Sequence, residues 1–179
     1  SKERTLLVSL LSYFDLIKYG YVSYFGNKNI DSNFDTQKEE DVFFLNLTKK
    51  QKKIIQEGFE KLTLPLTVDV KKFNKDIAHA REYNADYYNA VDFCVISETD
   101  HYKGMFITEK TVKCIQQNKK FIAFAGHNYI NDLKLYYREK HKQDISHLTD
   151  WCDTSYDKCK DTFDRAKKIV EIIKEEIEK

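Results

Sequence analysis

Glu98, Thr108, Glu109 and Lys110 are the residues whose types and spacing could do chemistry. They lie in one stretch, Ser97-Glu98-Thr99-Asp100-His101-Tyr102-Lys103-Gly104-Met105-Phe106-Ile107-Thr108-Glu109-Lys110. Thr108 is placed to cap a helix that starts near Glu109, and the N–H groups and positive dipole end of such a helix favour an anion. Lys110 adds a full positive charge there. Glu98, at the end of an apolar run, offers a carboxylate to the hydroxyls of a ribose or hexose, as acidic residues do in other nucleotide-binding α/β domains. An acidic clamp for sugar hydroxyls beside a cationic helix start suits a sugar nucleotide. A Thr-Glu-Lys triplet also has a plainer meaning, in which Thr108 only caps, Glu109 stabilises the first turn and Lys110 is solvated.

The elements that must position these residues are a strand before them and a helix after them. Phe93-Cys94-Val95-Ile96 reads as a buried strand and Thr111 to Asn118 as a short helix. A strand, a polar loop with one Gly and a helix is how an α/β domain brings ligand-binding groups to the carboxyl edge of its sheet. Phe121-Ile122-Ala123-Phe124-Ala125, ending at Gly126, fits a parallel strand buried on both faces. Gly126 and His127, directly after it, are the candidate cleft residues.

The rest of the chain supplies the layers. Arg4 to Phe14 carries Leu6, Leu7, Leu10, Leu11 and Phe14 at helical spacing, and Tyr21 to Phe25 reads as a short strand between two glycines. The helix begins within a few residues of the first position, with no strand before it, which fits a segment of something larger. Asn27 to Asp41 is a polar stretch without periodicity. Lys49 to Leu62 reads as a helix with Thr48 as its N-cap and Pro65 past its end. Lys72 to Ala90 has room for a helix leading into the strand at Phe93. Tyr129 to His141 and Thr162 to Lys179 read as helices, the last amphipathic through Phe163, Ala166, Ile169, Val170, Ile173 and Ile177. Apolar strands alternating with helices predict a single doubly wound, three-layer α/β domain over residues 1–179, with a mostly parallel sheet.

Composition narrows the function classes. The 179 residues, 41% hydrophobic and 33% charged, suffice for one sizeable core. Thirty basic against twenty-nine acidic residues give a formal charge of +1, so nucleic acid is not an expected partner. The four cysteines form no C-x-x-C pair and read as reduced thiols. No apolar run reaches the roughly 20 residues that span a bilayer, and no signal peptide is visible, so the expectation is a soluble, cytoplasmic protein. D-x-D, G-x-G-x-x-G, the P-loop and G-x-S-x-G are all absent, and the five histidines lack metal-ligand spacing. No metal site or cofactor is expected. With no paired carboxylates to hold a divalent ion on a diphosphate, fixed cations and helix dipoles must stabilise a leaving group.

The run from Phe93 to Gly126, with S-E-T-D, F-I-T-E-K and K-K-F-I-A-F-A-G, resembles the carboxyl-terminal half of the α-1,3-fucosyltransferase family. It is also similar to small glycosyltransferase-like proteins of phages and large viruses. Arg4 before an apolar helix, followed by G-Y-V-S-Y-F-G, resembles the opening of the family's nucleotide-binding half, and Trp151 to Arg165 the closing segment of the viral group. The viral pattern has Pro in the strand where this chain has Lys120-Phe121, and Lys-Pro where it has Lys113-Cys114.

The resemblance implies one Rossmann-like half of a GT-B glycosyltransferase, with a second such half as an expected partner. Arg4 and Lys110 would neutralise the donor diphosphate, and Glu98 and Glu109 would hold donor hydroxyls, beside the capping Thr108. The implied activity is metal-independent transfer of a sugar from a nucleotide-diphosphate sugar to a glycan or other acceptor hydroxyl. The family's acceptor-activating base lies in its amino-terminal half, so no residue here is assigned as catalytic. The alternative is a non-catalytic α/β binding or assembly domain, using the same edge for a phosphate or a protein.

Overall fold

The computed structural model describes residues 2–22, 24, 47–64, 85–98 and 105–179. The chain divides into two compact units, Ser1–Ile77 and Ala78–Lys179.

In the first unit, helix α1 (Lys2–Tyr13) packs against helix α2 (Lys49–Glu60). Thr48 caps α2 as its sequence predicts. Its hydroxyl accepts from Gln51 N at 3.2 Å while Gln51 Oε1 accepts from Thr48 N at 2.7 Å, a reciprocal capping box. Leu6, Leu10, Ile55 and Phe59 are buried, as are Val8, Ser9 and Ser12, so α1 is covered over more of its circumference than one leucine stripe predicts. Phe14 lies past the end of α1 and is exposed. Tyr24 makes a single β-bridge and hydrogen-bonds Thr5 at 2.6 Å, whereas Tyr21 and Val22 are irregular. The remainder of the predicted strand, the polar stretch from Asn27 to Asp41 and Pro65 lie outside the described residues.

Gly58 sets how closely α1 and α2 approach. A Cβ there would stand 2.0 Å from Ser9 O and 2.8 Å from Ser9 C, both backbone atoms that cannot swing aside. Gly58→Ala must push the helices apart, and is expected to cost about 1–3 kcal/mol as an overpacking change despite the better helix propensity of Ala. A urea titration of the two forms checks this, and an unchanged or raised midpoint would refute the close approach.

The second unit contains helix α3 (Ala85–Asn89), strand β1 (Phe93–Ser97), helix α4 (Glu109–Gln116), strand β2 (Lys120–Phe124), helix α5 (Tyr129–Tyr136), helix α6 (Ser146–Thr149) and helix α7 (Thr162–Ile177). β1 and β2 pair in parallel, Phe93 opposite Lys120 through Ser97 opposite Phe124, with α4 as the crossover. α4 ends in a Schellman motif. Asn118 takes the left-handed conformation at φ 49°, Asn118 N donates to Ile115 O, and Lys119 N donates to Cys114 O, turning the chain straight into β2. The predicted helix from Tyr129 ends at Tyr136 and continues as one π-helical turn, Tyr137–His141, closed by left-handed Lys142. Asp161 caps α7 by accepting from Asp164 N at 2.9 Å.

β2 is the core of this unit. Phe121, Ile122, Ala123 and Phe124 are all buried, with α4, α6 and α7 packed against the strand. That explains a run without polar alternation. The edge of β2 away from β1 is met by side chains. Alternate residues direct their backbone groups to that edge, and Trp151 Nε1 donates to Phe121 O at 3.4 Å, Ala123 N donates to Tyr156 OH at 3.3 Å, and Arg165 Nη1 donates to Ala125 O. Two side chains from the segment between α6 and α7, and one from α7 itself, thus take hydrogen bonds that a neighbouring strand would take. Among the described residues the architecture is helix-rich α/β with a two-stranded parallel sheet.

Candidate functional site

Glu98 follows β1 directly, and its N–H donates to Phe124 O at 3.0 Å, which extends the ladder by one residue and holds Glu98 at the carboxyl edge. Its side chain is fully buried. Oε1 accepts from Thr108 N at 3.3 Å, Thr111 Oγ1 at 2.5 Å and Tyr129 OH at 3.2 Å, and Oε2 accepts from Thr108 Oγ1 at 2.5 Å. The Thr111 and Tyr129 hydroxyls are 2.8 Å apart. A buried carboxylate needs such donors. A sugar hydroxyl reaching Glu98 would have to displace one of them. Burial, with the Glu98 charge next, pushes the Tyr129 phenol well above its ordinary range, so Tyr129 stays a proton donor here.

Thr108 is the N-cap of α4, as its place before Glu109-Lys110 predicts. Its hydroxyl donates to Glu98 while accepting from Lys110 N and Lys110 Nζ, each at 3.3 Å. Lys110 Nζ also pairs with Glu109 Oε1 at 3.2 Å, and these two side chains are 30% and 38% exposed, so both meet solvent at the start of α4. Burial works against the Glu109 charge, yet its own backbone N–H, then the Lys110 and Lys113 ammonium groups, hold its carboxyl below the usual range. The site therefore offers a partly exposed cation, an ionised carboxylate and a helix start whose cap is held from beneath by Glu98.

The start of α5, at the end of β2, is built differently. Gly126 is buried and His127 exposed, and Asn128 takes φ 62°. Asp157 accepts from Ile130 N at 3.0 Å and Asn131 N at 3.3 Å, while its carbonyl accepts from Asn128 N at 2.8 Å. Its carboxylate occupies the place an anion would take at that helix start. An anion site at this edge therefore falls to α4.

The second unit brings Glu98, Thr108, Glu109 and Lys110 together. Arg4 stands half-buried on α1 in the first unit. Asp100 and His101 lie outside the described residues. Thr111, Tyr129, Asp157 and Arg165 are the contributors that local pattern did not single out. Thr111 had a usable signal, since three residues past the cap it returns to the helix face that meets the strand. Asp157 and Arg165 fall in the Trp151 to Arg165 segment that the resemblance picked out, but no local pattern shows their partners 26 to 40 residues away in sequence.

No family model matches the chain, and comparison with curated proteins and with solved structures finds no match. Among the described residues, no helix is long and apolar enough to cross a membrane. Within the same residues, no three or more His, Cys, Asp or Glu are grouped so as to hold a metal ion.

Proposed function

We propose that the chain is a glycosyltransferase, or the donor-binding part of one, acting on a nucleotide-diphosphate sugar in the cytoplasm. The observation that carries this reading is the start of α4, where the half-buried Lys110 and Glu109 meet solvent together at the carboxyl edge of a parallel β1–α4–β2 unit. Lys110 and the α4 dipole meet the diphosphate, whose charge grows as the bond to the anomeric carbon breaks. Glu109 accepts from a donor hydroxyl. Gly126 and His127 line the cleft beside the donor. Glu98 acts as a positioning residue, holding Thr108 and hence the first turn of α4. An acceptor hydroxyl attacks the anomeric carbon, with its base supplied by a second Rossmann-like half. The finer fold in this reading is one three-layer, Rossmann-like half of a GT-B enzyme.

The enclosure of the Glu98 carboxylate by four protein donors favours a second reading, a binding domain that captures a phosphate at α4 without turnover.

Calorimetry with a panel of UDP- and GDP-sugars tests the proposal. Lys110→Ala and Glu109→Ala are each expected to weaken binding by about tenfold or more, the loss of one charge-assisted hydrogen bond. Their unfolding midpoints should move little, by at most about 0.5 kcal/mol, because both groups are surface partners. If the unaltered protein binds none of the panel, the sugar-nucleotide reading is wrong. Binding of inorganic pyrophosphate with no preference for any sugar nucleotide would select the second reading.

A further inference from the structure

The Glu98 carboxylate is reached from two helices. Thr108 and Thr111 come from the cap and first turn of α4, whereas Tyr129 is the first residue of α5. Tyr129 is 2% exposed, so its hydroxyl must find its partners inside the protein. Its backbone is anchored as well. Asn128 N donates to Asp157 O at 2.8 Å, and the Asp157 carboxylate accepts from Ile130 N and Asn131 N, the two residues that follow Tyr129. Tyr129 therefore meets Glu98 from a helix start that another part of the chain already holds.

Each hydroxyl has one hydrogen to give. Thr111 Oγ1 lies 2.5 Å from Glu98 Oε1, so its hydrogen is spent on the carboxylate. Toward Tyr129, 2.8 Å away, Thr111 Oγ1 is then the acceptor. The phenol hydrogen falls between Thr111 Oγ1 and Glu98 Oε1, which is farther off at 3.2 Å, and the shorter contact takes the larger share. The order is Tyr129 to Thr111 to Glu98, and in such a chain each donor strengthens the next. On the far oxygen of the carboxylate, Thr108 Oγ1 donates to Oε2 while accepting from Lys110 N and Lys110 Nζ. One connected path runs from the start of α5 to the Lys110 ammonium.

We propose that Tyr129 is a positioning residue for the anion site, bracing the start of α4 against the start of α5 so that Lys110 keeps one orientation toward a diphosphate. This role rests on the reading of the α4 start as the place where the donor diphosphate binds. Tyr129 touches no ligand; it acts through Thr111 and Glu98. A cation held in its binding orientation spends less on ordering when the anion arrives. Without the phenol oxygen, Glu98 keeps its donors from α4 and its cap, but the tie from those donors to α5 is cut.

The test uses Tyr129→Phe in the full chain, which keeps the ring and removes the hydroxyl. Amide exchange at residues 108–111 should accelerate by about threefold or more relative to α7, the loss of one hydrogen bond. Affinity for inorganic pyrophosphate, and for any UDP- or GDP-sugar that the unaltered protein binds, should fall by about three- to tenfold. That loss should vanish in a Lys110→Ala background, because Tyr129 works through the placement of that cation. Thr111→Val, which breaks the chain at its middle, should reproduce the faster exchange, and Thr111→Ser, which keeps the hydroxyl, should restore it. Unchanged exchange in Tyr129→Phe, or equal exchange in the Val and Ser variants, would overturn the proposal. So would faster exchange with unaltered affinity, or a loss of affinity that persists without Lys110. If the unaltered protein binds neither pyrophosphate nor a sugar nucleotide, it is the donor reading that fails, and the exchange rates still decide whether Tyr129 braces α4.

Discussion

Arg165→Met is expected to destabilise the Ala78–Lys179 unit by about 3–5 kcal/mol, the largest single effect predicted for this chain. Arg165 is 3% exposed, and its guanidinium donates through Nε and Nη2 to Cys159 O, through Nη2 to Lys160 O, and through Nη1 to Ala125 O. Met fills similar space without donors, so the loss falls on carbonyls left without that partner at the end of β2 and before α7. Trp151, the chain's one tryptophan, stands on the same strand edge, so its fluorescence during urea unfolding reports this unit. Arg165→Lys should recover part of the loss, because one ammonium cannot span both ends of the fork.

The deficit should also deepen with pH. Burial raises the Asp157 carboxyl above its ordinary value, against the Ile130 and Asn131 N–H groups and the Arg165 charge, which lower it. A raised acid binds its proton more tightly folded than unfolded, so its stabilising contribution is complete below the ordinary aspartate range. It is lost as pH rises through the raised value. Removing Arg165 raises that value further and widens the window. A deficit that shrinks as pH rises would contradict the assigned role.

Glu98→Ala is the second large effect, about 2–4 kcal/mol, with a consequence that a merely structural carboxylate would lack. Thr111 and Tyr129 can still pair with each other across 2.8 Å, which limits their share. Thr108 loses the acceptor for both its N–H and its hydroxyl, so the first turn of α4 should fray. Hydrogen exchange at the amides of residues 108–111 should therefore accelerate by at least tenfold relative to α7. Sugar-nucleotide affinity should fall with it, although Glu98 itself is enclosed. Glu98→Gln keeps the shape and one acceptor oxygen, and should lie between the two. Unchanged exchange at α4 would show that Glu98 does not position the site.

Much of this architecture was legible in the sequence because it is local. The cap at Thr48 with Gln51, the cap at Thr108, the two apolar strands and the amphipathic α7 each follow from residues within one or two turns of one another. The candidate cluster at Glu98 and residues 108–110 was likewise visible as a loop between a strand and a helix. Its internal wiring was not. Glu98 reads as an open acceptor in sequence, and it is the fold that brings Thr111 and Tyr129, 13 and 31 residues away, onto its oxygens. The π-helical turn after α5 escaped for the same reason, since an apolar pattern does not register one extra residue per turn.

By itself, then, the sequence determined the longer helices and the two apolar strands, where α2 and α4 begin, and that an anion-favouring helix start with Lys110 follows the strand at Phe93. Hydrophobic period and side-chain capping are enough for that, because both act over three or four residues. Only the tertiary structure decided that Glu98 is spent on holding α4, that Asp157 fills the start of α5, and that Trp151, Tyr156 and Arg165 close the outer edge of β2. Buried donors and acceptors must be paired wherever the chain leaves them, and the partner that satisfies each one is chosen by packing in three dimensions rather than by proximity along the chain.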